Sequence, residues 1–544
     1  MSDPAGRIAD ANAASPAQPA VFTTKDRDDL PSTPSVLYTA AAPDMQLIRD
    51  LLAGTRQMHR QYRVYIEKWA AEKPQNYKRR ATMAESYGGL ARSLSASVGM
   101  LFAREPLRSD TWTPEIAADW ENLDGKGTHG NVFAKRHADD ALADGLVGVL
   151  VDFPPVPEGV TVTTANEAAL NLRPKWAAYR RSDILSWQTA PVDNVETLTQ
   201  VVLREGTATR SGRFGVKPKL QYRVCHLAVT PPARPGSPPT RAAWWELLEE
   251  TKNRDGSVTV TEVGRGEFLD RDGVPFPEIP LAVGYAGRTD AILCADPPLL
   301  DLAYCNLAHW RIANDLRYYE SLLCFPMPVI SGTLVDRENP DGTKAPGQFT
   351  LGPNVFTQLT AESKFEFAEL RGTSLAALRS SLDAKRDEMG ELGASFLRKI
   401  QRGIETAEAK RLDATAENAT LATSSRGYED MLNQALMFHA RYRGIPKEQA
   451  PTLTLNRDFE TEVMDATVMT AYATLHEKMG LPVGTILKQL KTGSRLSEDE
   501  DLDALEAEMA SNEIAQAKQA QLDAAAQLDA VRHAAGNGPA KQAA

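Results

Sequence analysis

The stretch from Asp296 to Gly332, DPPLLDLAYCNLAHWRIANDLRYYESLLCFPMPVISG, decides how the rest of the chain is read. Asp296 suits an N-cap, and proline at 297 and 298 is tolerated in a first helical turn. Leu299, Ala303, Leu307, Trp310, Ala313, Leu316, Tyr319 and Leu323 then recur every three or four residues until Pro326 and Pro328. That spacing predicts one long amphipathic helix with a face buried along its whole length. A second helix is predicted from Thr373 or Ser374, with Leu375, Leu378, Leu382, Met389, Leu392 and Phe396 in near-heptad register. Asp383, Lys385, Arg386, Asp387 and Glu388 fall on its other faces, so it wants neighbours on one side and water on the other. Between the two lies a short β-like insert punctuated by proline and glycine. A third helix, polar and dense in threonine and alanine, is expected to run to about Tyr442, before Gly444 and Pro446.

Outward from this region, 544 residues allow two to four domains, each able to bury a core. The formal charge is −11, from 61 basic and 72 acidic residues, which argues against a broad basic surface that grips nucleic acid. An acidic conduit that lets DNA slide remains compatible with it. No apolar run approaches a membrane span, and MSDPAGRIADANAASPAQPA at the start has neither a basic beginning nor an apolar core. The expectation is a soluble protein that is not secreted. Cys225, Cys294, Cys305 and Cys324 form no CxxC pair, so neither a disulfide framework nor a zinc ribbon is suggested.

Residues 1–43, rich in Ala, Pro, Asp, Ser and Thr, read as a flexible arm, with folded structure starting near Met45. Leu47, Ile48, Leu51, Leu52, Met58, Tyr62, Tyr65, Ile66 and Trp69 suit one or two helices, and a further helical block runs from about Arg79 to Phe102. A helix near Val132 to Asp144 leads into Gly145 and then Leu146 to Asp152, which reads as helix, glycine stop and buried strand. From Trp176 to about Pro280, LTQVVLRE, LQYRVCHLAV, AAWWELLEE and VTVTEV are separated by NRDG and DRDG turns, the signals of hairpins. TLTLNRDF reads as one strand. Helices are expected over 465–490 and from Ser497 to about Ala530, the latter opening on a capping box at Ser497 and Glu500, followed by a frayed or disordered tail. The fold class expected is α+β, mainly helical.

The search for chemistry finds little. No phosphate-cradling loop, HExxH or GxSxG is present, so no enzyme, cofactor or metal is expected. Cys305 and His309 share one helical face and could hold a metal, but no second ligand pair accompanies them. Cys225 and His226 point to opposite faces of a strand. Asp270-Arg271-Asp272-Gly273 begins like a calcium loop, yet Ile279 stands where the last acidic ligand belongs, with Glu278 the nearest carboxylate, so a hairpin turn is the better reading. Glu498, Asp499, Glu500 and Asp501 suit a solvated first helical turn. Arg398, Lys399, Arg402, Lys410 and Arg411 bracket Gly403; they either pair with Glu405 and Glu408 or touch phosphates.

In order, KRRATMAESYGGLARSLSASVGMLFAREP, DDALADGLVGVLVDFPP, PKWAAYRRSDILSW, IPLAVGY leading into PPLLDLAYCNLAHWRIANDLRYYESLLCFPMPVISG, and ETAEAKRLDATAENATLATSSRGYEDMLNQAL resemble the portal proteins, or head-to-tail connectors, of tailed bacteriophages, within a less-studied branch. The likeness covers about 60–440. It implies a mainly helical fold of wing, stem, clip and crown, with long stem helices around an axial channel, in a ring usually of twelve subunits. The wing would take 44–295 and 411–465, the stem helices 296–325 and 373–400, the clip 326–372, and the crown 466–530, with 531–544 as tail. VISGTLVD, GQFTLG and KFEFAEL would be the clip strands, too few to hold a private core. The segment 401–410 would be a tunnel loop, making Arg398, Lys399, Arg402, Glu405, Lys410 and Arg411 its DNA-channel candidates and Leu375, Leu378, Leu382, Met389, Leu392 and Phe396 its stem packing. The implied partners are further copies, the major capsid protein, a terminase large subunit, head–tail adaptors and double-stranded DNA without base readout, at the portal vertex of a virion after assembly in the host cytoplasm. The alternatives are another virion structural protein, such as a capsid or adaptor subunit, and a metal-dependent enzyme.

Overall fold

The computed structural model describes residues 21–154, 170–231, 239–323, 327–331, 335–338, 340–346, 362–368, 373–393, 407–456 and 482–492, with scattered positions from 474 to 511; of 407–420 it describes the backbone alone. Residues Met1–Arg457 form one compact unit and Asp458–Ala544 a second.

The first unit opens with strand β1 (Val21–Thr24) and helix α1 (Val36–Leu52), whose N-cap Ser35 accepts the Tyr38 N–H. The strand and the first half of the helix lie within the stretch read as an arm, while its second half falls where helix was expected. Helices α2 (Pro74–Ala81) and α3 (Gly89–Leu101), the short strand β2 (Leu107–Arg108) and helix α4 (Gly130–Asp144) follow. Helix α4 stops at Gly145, whose φ of +86° suits a residue without a side chain and whose absent Cβ would meet the Asp296 carbonyl oxygen at 2.8 Å. Strand β3 (Leu146–Asp152) then runs through the core, buried from Leu146 to Val151, between β4 (Lys175–Arg180) and β10 (Leu281–Tyr285).

Between β4 and β10 the chain folds into a curled antiparallel sheet. Its strands are β5 (Ile184–Val192), β6 (Val195–Ser211), β7 (Gly215–Thr230), β8 (Thr240–Lys252) and β9 (Val258–Glu267), in the order β1-β9-β8-β7-β6-β5. Leu185, Val202, Tyr222, Val224, Leu248 and Val260 form its core, with Leu30 and Tyr38 packed on them. The NRDG turn joins β8 to β9, and the DRDG stretch is a turn in which the Asp270 carboxylate accepts the Asp272 and Val274 N–H groups.

The long helices come next: α5 (Leu300–Leu323), α6 (Thr373–Leu392) and α7 (Ala407–Tyr442), with β11 (Met327–Ser331), β12 (Arg337–Glu338), β13 (Lys344–Ala345) and β14 (Lys364–Ala368) between α5 and α6. Helix α7 lies on β10 so closely that a Cβ on Gly427 would be 2.1 Å from the Tyr285 carbonyl oxygen. It ends at Gly444, φ +75°, where Gly444 N–H donates to Arg441 O and Ile445 N–H to Ala440 O, the paired bonds of a Schellman cap. Near that end the buried His439 donates from Nε2 to Asp119 (2.9 Å) and accepts at Nδ1 from the Trp176 indole N–H (3.2 Å). Burial pushes the His439 imidazole below its ordinary pKa, so it stays neutral in this chain of bonds. The described part of TLTLNRDF contributes β15 (Leu453–Thr454), paired with β2.

The expectation of a mainly helical portal architecture is corrected by this sheet. Helix accounts for 42% of the chain and strand for 27%, above the usual strand share of about 20–25%. The reason lies in β6 and β7, which run for 17 and 16 residues, well past the short apolar segments visible in sequence. Cross-strand hydrogen bonds continue through polar residues such as GTATRS as readily as through apolar ones, so hydrophobic alternation undercounts a strand that outruns its core. Of the second unit, α8 (Val483–Thr492) falls inside the region expected to be helical. The capping box at Ser497 and Glu500 and the acidic run 498–501 lie outside the described residues.

Candidate functional site: the long helix pair

Helix α5 is fixed to the α1, α2 and α3 layer by three side chains four residues apart on one face. The Asn306 Oδ1 accepts the Leu90 N–H (3.1 Å) at the start of α3, where a helix leaves its first amides unpaired. One turn on, the buried Trp310 indole N–H donates to the Ala84 carbonyl (3.1 Å). A further turn on, Asn314 Oδ1 accepts from both Met83 N–H (3.0 Å) and Ala84 N–H (2.9 Å), while its Nδ2 donates to Trp310 O (3.0 Å). The irregular segment between α2 and α3 thus has its backbone satisfied by side chains of α5. Arg311 donates to Tyr65 O, and Asp315 pairs with Arg80, itself held by Glu72 and stacked over Trp69. Burial holds the Asp315 carboxyl above its usual range despite the Arg80 guanidinium.

Between these anchors sits His309, buried, with its ring against Tyr87 (centroids 5.2 Å apart) and neither ring nitrogen hydrogen-bonded among the described residues. Burial, reinforced by Arg386, pushes its pKa down to about 4. Cys305 does not join it as a ligand: its thiol donates to the Lys385 carbonyl (3.6 Å), and burial raises its pKa. Among the described residues no three His, Cys, Asp or Glu side chains are grouped to hold a metal. Cys225 is likewise fully buried, while its neighbour His226 stacks on Trp244 and meets Glu246 (3.1 Å).

Helix α6 runs antiparallel to α5, joined at one end by the Arg379–Glu320 ion pair (2.9 Å). Of its predicted packing residues, Leu382 and Met389 are buried, Leu375 and Leu378 half-buried, and Leu392 exposed. Met389 reaches the start of α3, where a Cβ on Gly89 would lie 3.1 Å from its sulfur. Phe396 lies outside the described residues, as do Arg398, Lys399, Arg402 and Glu405. Lys410 and Arg411 stand on α7, described there as backbone only. In the insert, β11 pairs with β14 and β12 with β13, and the GQFTLG segment lies outside the described residues. Tyr304, Tyr319, Leu322 and Leu392 leave apolar surface of both helices in water.

A family model described as DUF4055, a domain of unknown function, matches residues 298–443, bounds that coincide with α5, the insert, α6 and α7. None of the curated proteins matches the chain. Among solved structures it is similar to a chain from the virion of a native gene transfer agent particle, at 9% identity, covering 73% of this chain and 86% of that one, with a TM-score of 0.33. That likeness is too slight to fix a fold or a role here. Sequence reasoning missed Asn306 and Asn314, although an amide on an otherwise apolar helical face is a legible signal of a backbone to be satisfied.

Proposed function

We propose that this chain is a structural protein of a phage-like virion and acts as the ring-forming portal subunit at one capsid vertex. One observation carries the reading: two long antiparallel helices bracket a small β insert whose described strands pair only with one another. An insert that small gains stability from strands or surfaces of adjacent copies. The apolar side chains left in water on α5 and α6 suit lateral packing between subunits, and the acidic balance of the chain suits a conduit through which DNA passes without sticking. On this reading the helix pair would be the stem, the insert the clip, and Arg398, Lys399, Arg402, Glu405, Lys410 and Arg411 would border the channel and meet phosphate without base readout. The partners would be the capsid protein, a terminase and tail adaptors, and the chain itself would catalyse nothing.

Electron microscopy of the purified protein tests the proposal. Closed rings of about a dozen subunits around a hole of roughly 20 Å or more are expected; filaments or small closed dimers would sink it. Within such rings, replacing Arg398, Lys399 and Arg402 together with alanine is expected to alter DNA packaging or retention more than ring formation.

A further inference from the structure

We infer that the outer half of the β6–β7 hairpin is an arm by which one copy of this chain holds a second copy. The two strands pair without interruption from Gln200↔His226 to Ser211↔Gly215, but their flanking strands stop early. Pairing with β5 reaches only Leu203, and pairing with β8 only Tyr222. From Glu205↔Gln221 outward the ribbon has no third strand on either edge among the described residues. A lone two-stranded ribbon is marginal in water, and its open edges are templates for another chain.

Strand alternation sorts the arm into two faces. On β7, Val224 and Tyr222 belong to the sheet's buried core, and the same row continues outward as Leu220, Pro218 and Val216, with Gly206, Ala208 and Arg210 opposite them on β6. Leu220 is 56% exposed, Val216 66%, and Phe214 in the turn 87%. The core row therefore runs off the end of the core and into solvent. The other face carries Lys217 and Lys219, the latter ion-paired to Glu249 at the base, and Arg213 lies over the Phe214 ring near the turn. No acidic residue occurs between Gly206 and Lys219.

These two faces select the occupant. Exposed Leu220, Pro218, Val216 and Phe214 ask for a protein surface, with Arg210 at the outer end of the same face. The cations beside it ask for an acidic one, and a chain whose net charge is −11 even with these cations counted is itself such a protein. An arm received by a surface unlike itself can close a ring head-to-tail or be exchanged within a two-fold dimer. The inference goes beyond the portal reading without depending on it, since an arm-held dimer would satisfy the one and defeat the other.

The test uses the full chain with the photo-crosslinker benzoylphenylalanine in place of Phe214. Irradiation is expected to give a covalent species of twice the subunit mass, joined to another copy. Products confined to one subunit, or joined to nucleic acid, overturn the inference, as does wild-type protein that stays monomeric. A second variant replaces residues 207–219 with Asn-Gly, keeping the Gly206↔Leu220 pair. Its self-association by sedimentation is expected to weaken about tenfold or more with the melting curve of the monomer unchanged. Should that variant not fold, Arg213→Glu with Lys217→Glu leaves the strand pairing intact and carries the same expectation. Rings that form undiminished without the arm would support the portal reading and overturn this one.

Discussion

Helices α5 and α6 present nearly the same apolar spacing, yet they are held in different ways. Helix α5 is gripped by three other helices, and Asn306, Trp310 and Asn314 bond the backbone of the segment it covers. Helix α6 leans on α5 and touches the start of α3 at Met389 and Gly393, while Leu392 stays in water. Periodicity reports that a helix has a face to bury; it does not report how many neighbours will bury it. The polar residues inside the face tell the two apart, because the side-chain oxygens of Asn306 and Asn314 accept backbone N–H groups of the covered segment.

The sharpest way to break this contrast is Trp310→Ala. It removes a fully buried ring and one of the two donors to the Ala84 carbonyl, the other being His59 Nε2, so a loss of about 3–5 kcal/mol is expected in denaturant unfolding. A loss under about 1 kcal/mol would mean that α5 is no better anchored than α6. Asn314→Ala comes next. Two N–H groups lose their acceptor, and about 1–3 kcal/mol should disappear from the melting free energy; hydrogen exchange at Met83 and Ala84 should accelerate with it.

The third prediction concerns pH. His309 is held neutral in the fold, with its pKa near 4 against an ordinary 6.5, and faces Arg386 and Asp383 across the helix pair. The unfolded chain therefore binds more protons between those values, so the contribution is complete above pH 6.5 and is lost progressively as pH falls toward 4. A decline of roughly 1–3 kcal/mol across that window is expected, flattened in His309→Leu. An identical pH profile in the variant would show that the imidazole is hydrated. The smallest effect belongs to Leu392→Ala, within about 0.5 kcal/mol in the isolated subunit because the side chain is already exposed. A larger penalty in assembled protein alone would show that another copy covers it.

Much of this was legible beforehand. The bounds of α5, the start of α6, the glycine stop at Gly145, the end of α7 before Gly444 and the hairpins between Trp176 and Pro280 all follow from local signals: caps, breakers, turns and period. What escaped was non-local. Val21–Thr24 joins the sheet because β9 offers it an open edge, and nothing in VFTT announces that edge. The outer rungs of β6, GTATRS, carry no alternation to count. The candidate channel residues before Ala407 lie outside the described residues, so the sequence remains the sole source for them.

The contact of Gly427 with Tyr285 has a mechanical consequence. A helix of 36 residues is a rod of about 54 Å. Backbone lies on backbone at Gly427, with Gly284 meeting Met431 and Tyr428 beside it, so there is no slack in which the rod can slide or roll. The second half of α7 is thus seated like a beam in a wall, and a load applied near Ala407 reaches β10 as leverage about Gly427, magnified by the length of the rod in between.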